Sequence, residues 1–303
     1  MEDYVSMSTP SPGAGSASAR THTVQPFGPD SLIWRYLGDL RNPLGGRAAT
    51  TLQVMHPAIG AAVSDPTLSV FFTEPIARVR RSGPLIMGVV YNGPGTHRTA
   101  DTLRDMHLQI KGTITGGTKA GQHFHALDPE IFYWAHATFV YALFATIDAF
   151  HEPLTTAQRD QLYAECKHWY RLYGLSERPM PPDYPSFVEY VDRMCATELE
   201  PTETALRGKA MFGDPKTIPQ DEMPGWLWRL VAPLPIRFSN FLSRGLMPPI
   251  IREKMNYPWT PADERRFRRA ARILRAAVPR LPARIRYNPV ARAAFEREGW
   301  PTQ

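Results

Sequence analysis

Residues 127–150, LDPEIFYWAHATFVYALFATIDAF, constrain the fold more than any other stretch. Asp128 can accept hydrogen bonds from the free backbone N–H groups of a first helical turn. Pro129 suits the first helical position, where its missing N–H is not needed. Glu130 adds negative charge where the helix dipole favours it. Beyond these three the segment is apolar on every side for roughly five turns. A helix of that kind is buried, in a large core or in a membrane. The run is long enough to cross a bilayer. However, His136 lies in its middle, Asp148 near its end, and Thr138 and Thr146 along it. Ionisable groups are costly in lipid. The segment therefore reads as the central helix of a soluble core, and His136 as the polar residue that needs a reason.

The remaining chain reads as further helices. Residues 1–28 are rich in Ser, Ala, Gly, Thr and Pro and cannot bury enough apolar surface to offset their ordering entropy, so they read as a disordered tail. Residues 29–303 read as one helical domain. Asp30 or Ser31 can cap a first helix. Residues 48–63 form a second helical segment, kinked or restarted at His56-Pro57. A helix carrying Arg78, Arg80 and Arg81 is expected to end near Ser82-Gly83-Pro84. Residues 99–114 read as one helix, with Leu103, Met106, Ile110 and Ile114 at helical spacing and His107 beside them. His123 and His125 fall in a loop after Gly116-Gly117. Thr155 with Gln158, and Ser186 with Glu189, have capping-box spacing. Thr260-Pro261 opens a last long helix dense in arginine. Period-2 alternation is nearly absent, which makes the fold class all-α.

Composition narrows the function. The net charge of +6 draws the chain towards anionic partners, but no aromatic-basic module accompanies it, so nucleic acid is not an expected partner. The arginine-dense helix could touch an anionic membrane peripherally. Two cysteines without a CxxC spacing exclude a metal-thiolate framework. The opening MEDYVSMS has acids where a secretion signal needs bases, so the expected location is cytoplasmic, with membrane association as an option. No HExxH, nucleophile elbow or dinucleotide fingerprint is present. What stands out is three separated histidines on apolar helices: His56, His107 and His136. An apolar helical pocket with one histidine is how a protein holds haem.

Six stretches, in order, resemble the MpaB-type oxygenase family, with the latex-clearing rubber oxygenases as distant cousins. They are LQVMHPAIGAAV (52–63), ARVRRS (77–82), RDMHLQIKGT (104–113), ALDPEIFYWAHATFV (126–140), LPIRFSNFLSRGLMPPIIREKMNYPWTP (234–261) and the Arg-rich helix that follows. The resemblance implies a globin-like helical core around haem b. It also implies dioxygen-dependent oxidative cleavage of a carbon–carbon double bond in a hydrophobic, isoprenoid-like substrate. The rubber enzymes' axial histidine lies in Arg-x-x-His, matched here by Arg104-Asp105-Met106-His107, so His107 is the expected iron ligand. Their distal Arg-x-x-Lys-Thr is matched by Arg78-Val79-Arg80-Arg81-Ser82, with arginine for lysine and serine for threonine. Arg78, Arg81 and Ser82 are thereby the expected catalytic residues. An arginine is a poor iron ligand, unlike lysine. His56 and His136 belong to the MpaB-type pattern, and either could be a second axial ligand. The rubber enzymes' catalytic glutamate has no match. Phe132, Trp134, Phe139 and Leu143 are expected to line the substrate cleft. The other readings are a haem monooxygenase, peroxygenase or dehydrogenase acting on a small metabolite, or a non-catalytic haem- or lipid-binding protein.

Overall fold

A computed structural model describes residues 25–300, which form fifteen α-helices and one small hairpin. Of the expected tail, residues 1–24 lie outside the described part. Residues 25–28 lie against the domain, with Phe27 buried and edge-on to His168. The first four helices are α1 (Leu32–Leu37), α2 (Gly46–Val54), α3 (Pro57–Ser64) and α4 (Pro75–Tyr91). Next come α5 (Thr96–Asp105) and the antiparallel strands β1 (Lys111–Thr113) and β2 (His123–His125). The central helix is α6 (Pro129–Phe150), followed by α7 (Thr156–Arg171), α8 (Tyr184–Arg193) and α9 (Glu203–Gly213). The C-terminal part holds α10 (Gly225–Val231), α11 (Pro233–Leu246), α12 (Pro249–Lys254) and α13 (Pro261–Ala277), then α14 (Ala283–Arg286) and α15 (Pro289–Arg297).

Helix α6 is the core, as its composition requires. Its side chains pack against α1, α2, α7, α11 and α13. The Asp128 carboxylate accepts from Glu130 N at 2.9 Å. Its two buried threonines are hydrogen-bonded. Gln53 Nε2 donates to Thr138 Oγ1 at 2.8 Å, and Thr146 Oγ1 donates to the Leu143 carbonyl at 2.9 Å. The last carbonyls of the helix, which have no partner within it, are taken by arginines. Arg41 Nη1 donates to Phe150 O at 3.0 Å, and Arg275 Nη2 to Asp148 O and Ala149 O at 3.2 Å. Arg41 is itself held by fully buried Asp39, with Nε and Nη2 each 2.7 Å from a different carboxylate oxygen. Arg286 Nε reaches the same carboxylate at 3.0 Å, tying α14 to this end of the core. Among the described residues no helix is long and apolar enough to cross a membrane.

His123 and His125 lie in β2 rather than in a loop, and three further local expectations need correction. Helix α4 does not stop at Pro84 but runs through it to Tyr91. The carbonyl that loses its donor belongs to Arg80, and both Arg80 and Pro84 are exposed, so water takes the place of the missing bond. Residues 99–114 do not form one helix: α5 ends at Asp105 and residues 111–113 enter β1. Ile110 and Ile114 serve a small second core with Ala58 and Phe124, so their spacing matched a helix by coincidence. Their partners come from α3 and β2, which no local pattern reveals. Finally, Ser186 does not cap α8. Asp183 does, accepting from Ser186 N at 2.8 Å, while Thr155 and Thr260 make the expected capping boxes with Gln158 and Asp263.

Candidate functional site

His107 sits just past the end of α5, in a tight turn. Its backbone N–H donates to Arg104 O at 2.9 Å, three residues back. This leaves the Leu103 carbonyl, a helix-end acceptor, free for the imidazole, and Nδ1 lies 2.7 Å from it. A carbonyl can only accept, so Nδ1 carries the proton and Nε2 keeps its lone pair. The ring packs edge-on against Phe132 of α6, with centroids 5.6 Å apart. Burial lowers its pKa first, and the charge of Arg78 lowers it further. His107 is thus neutral at neutral pH, and its Nε2 has no hydrogen-bond partner among the described residues.

Arg78, on the first turn of α4, provides the nearby charge. It is half-buried and forms no ion pair among the described residues; its guanidinium lies over the Phe71 ring, 5.3 Å from the centroid. Burial lowers its pKa. Its neighbours differ. Arg80 pairs with Glu222, and exposed Arg81 pairs with Glu74 at 3.0 Å. Ser82 Oγ donates to the Arg78 carbonyl at 2.9 Å, bracing that turn of the helix. Arg104 is held by Asp101 at 2.7 Å and by Asp105 at 2.8 Å, and its Nη1 reaches Tyr173 O at 3.4 Å. It therefore braces the end of α5 beside His107. Around the pair, apolar side chains stand in solvent: Met106 and Leu108 flank His107, and Val79 follows Arg78.

The other two histidines are elsewhere. His136 is buried between α6 and α7, its Nε2 donating to Cys166 O at 3.1 Å. Trp169, Tyr170 and Tyr173 surround the ring. Its Nδ1 is buried without a partner, and burial depresses its pKa to about 4. His56 occupies the N-cap position of α3 without a side-chain cap bond, and its Nδ1 is also buried with no partner among the described residues; burial, then the charge of Lys119, depress it to about 4. His107 and His136 are linked only through rings: Phe132 lies 5.3 Å from Tyr173, which is 6.1 Å from His136. Among the described residues no group of three His, Cys, Asp or Glu side chains could hold a metal. Phe132, Trp134 and Leu143, expected to line a cleft, are buried in the core, and partly buried Phe139 packs against it. A cavity of about 320 Å³ does exist between α3 and the hairpin, lined in part by Leu68, Thr113 and Phe124, but none of the three histidines lines it.

Sequence reasoning missed Leu103 as the residue that orients His107. The signal was available, since a histidine four residues after a helical leucine can reach its carbonyl where the helix stops, but this required knowing that it stops at Asp105.

Fold and site define a class: a mainly α-helical domain in which Arg78, in no ion pair among the described residues, acts on the oriented, neutral His107. The chain belongs to the family of the ER-bound oxygenase mpaB/B′ and rubber oxygenase catalytic domain, whose family model matches residues 34–276. It is similar to a protein of Mycobacterium bovis and one of Mycobacterium tuberculosis, both described as uncharacterized. Each is 26% identical over 246 residues, covering 78% of this chain and 89% of the relative. No solved structure matches the chain.

Proposed function

We propose that this oxygenase-family protein is a haem b-dependent oxygenase acting with dioxygen on a hydrophobic, isoprenoid-like substrate, by oxidative cleavage of a carbon–carbon double bond. The observation that carries the reading is the orientation of His107: its Nδ1–H is spent on a backbone carbonyl, which leaves Nε2 free. A metal-ligating histidine is typically held in this way, and the carbonyl fixes both tautomer and ring direction. The residues fit the group. His107 would hold the iron, and the exposed Met106, Leu108 and Val79 offer an apolar bed for a macrocycle and an alkene chain. His136 is sealed by aromatic rings and His56 is buried at the start of α3, so of the three histidines His107 would hold the iron.

When bound, haem supplies the oxygen chemistry. The chain supplies polarity and access. Arg78 has no carboxylate partner among the described residues, so its N–H donors would be available to negative charge on oxygen, through charge-assisted bonds. Arg81 is already paired with Glu74, and Ser82 acts on the backbone of Arg78. Partial burial of the Arg78 guanidinium against the Phe71 ring leaves its charge less screened by water.

An absorption spectrum of the purified protein, oxidised and then reduced under carbon monoxide, tests the reading. A Soret band that shifts with carbon monoxide is the expected result. A band insensitive to carbon monoxide would mean a second strong protein ligand, against His107 as sole ligand. No band after haem is supplied would leave a helical binding protein.

A further inference from the structure

The two helices α10 and α11 carry an apolar face that stands exposed among the described residues. Trp226, Leu230, Leu234 and Phe238 recur every four residues across the Ala232 corner and are 70%, 73%, 79% and 48% exposed. Scattered exposed leucines are normal on a protein surface, but a contiguous row of this kind marks an interaction site. The two helices are nearly continuous, because Ala232 keeps helical backbone angles and accepts from Ile236 N at 3.2 Å. They are anchored on their other side. Trp228 Nε1 donates to Pro215 O at 2.9 Å, and Asn240 Nδ2 to Phe212 O at 2.9 Å. The row is thus held outward by a fixed scaffold.

The charges around it have one sign. No Asp or Glu occurs from Met223 to Arg252, whereas Arg229 and Arg237 lie beside the row, both exposed and in no ion pair among the described residues. The nearest acid on the N-terminal side, Glu222, is neutralised by Arg80. The arginine-dense α13 offers a weaker case, since Arg266 and Arg268 pair with Asp263 and Glu264 and Arg275 caps α6.

We infer that the α10–α11 face docks this protein peripherally on an anionic phospholipid bilayer. Apolar side chains exposed over half to four-fifths of their surface, with a tryptophan at one end and arginines alongside that form no ion pair among the described residues, match the membrane interface. There tryptophan rings sit at headgroup level and arginines meet lipid phosphates. A protein partner with acidic groups would satisfy the arginines, but it would need a pocket for each of the four large apolar groups. A bilayer accepts them without one. The Arg80–Glu222 pair also joins the start of this face to α4, which carries Arg78. The inference does not rest on the cofactor reading, because docking is read without activity.

The test is sedimentation of the full-length protein with vesicles of phosphatidylcholine, with and without phosphatidylglycerol. Binding should be stronger by at least about ten-fold on the phosphatidylglycerol vesicles. The triple variant W226S/L230S/L234S should lose at least about ten-fold in that binding with an unchanged circular dichroism spectrum. The pair R229Q/R237Q should reduce the preference for phosphatidylglycerol and leave the fold intact. Failure of the wild type to bind either vesicle would overturn the inference. So would equal binding by wild type and triple variant, or a wild-type dimer in lipid-free solution that the triple variant abolishes, which would assign the face to a second copy.

Discussion

His107 Nδ1 lies 2.7 Å from the carbonyl oxygen of Leu103, one turn earlier in the chain. The contact exists because α5 ends just before His107 and frees that carbonyl. It settles which ring nitrogen is available, and it separates His107 from His136, whose Nε2 is spent on Cys166 O and whose Nδ1 is walled in. His107→Ala is therefore expected to lower the haem content of the purified protein by at least about ten-fold. His136→Ala should keep the haem and lose about 2–4 kcal/mol of stability, as a large-to-small change in a packed core. The Soret-to-protein absorbance ratio, with a urea titration of each variant, separates the two effects. Full haem retention in His107→Ala would remove it as the ligand.

Arg78 makes the complementary case. Arg78→Gln removes the unpaired charge and leaves a side chain able to sit in the same space. Substrate turnover is expected to fall by about 10²–10³-fold, the scale of losing one charge-stabilising donor. Haem content should not change. Arg81→Gln, which breaks only an exposed ion pair, should leave turnover within about three-fold.

Asp39 and Arg41 form a buried ion pair at the C-terminal end of α6; Arg41 Nη1 also donates to Phe150 O, and the Asp39 carboxylate also accepts from Arg286 Nε. Removing one partner of such a pair leaves an uncompensated charge. Asp39→Asn is expected to cost about 3–5 kcal/mol, read as a lower urea midpoint without a change in slope. A loss below about 1 kcal/mol would show that the cluster is dispensable.

The buried histidines set an acid limit. Burial depresses His56 and His136 to about 4 and His151 to about 3. As pH falls below the ordinary histidine value, the unfolded chain takes up protons that the folded chain refuses. Stability should therefore be fully present at about pH 7 and decline from about pH 6.5 towards pH 4, by up to about 1.4 kcal/mol per unit for each histidine. Burial alone would raise the Asp39 carboxyl, but the bonds and charge of Arg41 and the charge of His151 outweigh it and leave it below its ordinary value. Its contribution is present above the ordinary aspartate pKa and is lost below that, as the pH falls through its own lowered value. Urea midpoints measured at about pH 7, 6 and 5 check this, and a flat profile would contradict it.

Helices α11 and α13 approach each other at Gly245. A Cβ built there would meet Phe267 Cδ2 at 2.3 Å. Gly245→Ala should destabilise by about 1–3 kcal/mol, even though alanine is the better helix former, because the ring must move in a filled core. A rise in melting temperature would show that Phe267 relocates freely.

Much of the architecture was legible in the chain. The central helix with its Asp128 cap, the restart at Pro57 and the capping boxes at Thr155 and Thr260 follow from local chemistry, since a cap or a proline acts within one turn. The mainly α fold followed from the lack of alternation. Tertiary structure decided what local chemistry could not. Ile110 and Ile114 left helical periodicity because their partners lie on α3 and β2. Pro84 was tolerated because its face of α4 meets water. Of three histidines with similar apolar neighbours in sequence, packing closed His136 between two helices, left His56 Nδ1 without a partner among the described residues at a helix start, and set His107 against Phe132 under the influence of the Arg78 charge. The periodicity of a sequence states which residues share a face. Whether that face meets another helix, a ring or solvent is settled only by contacts between residues far apart in the chain.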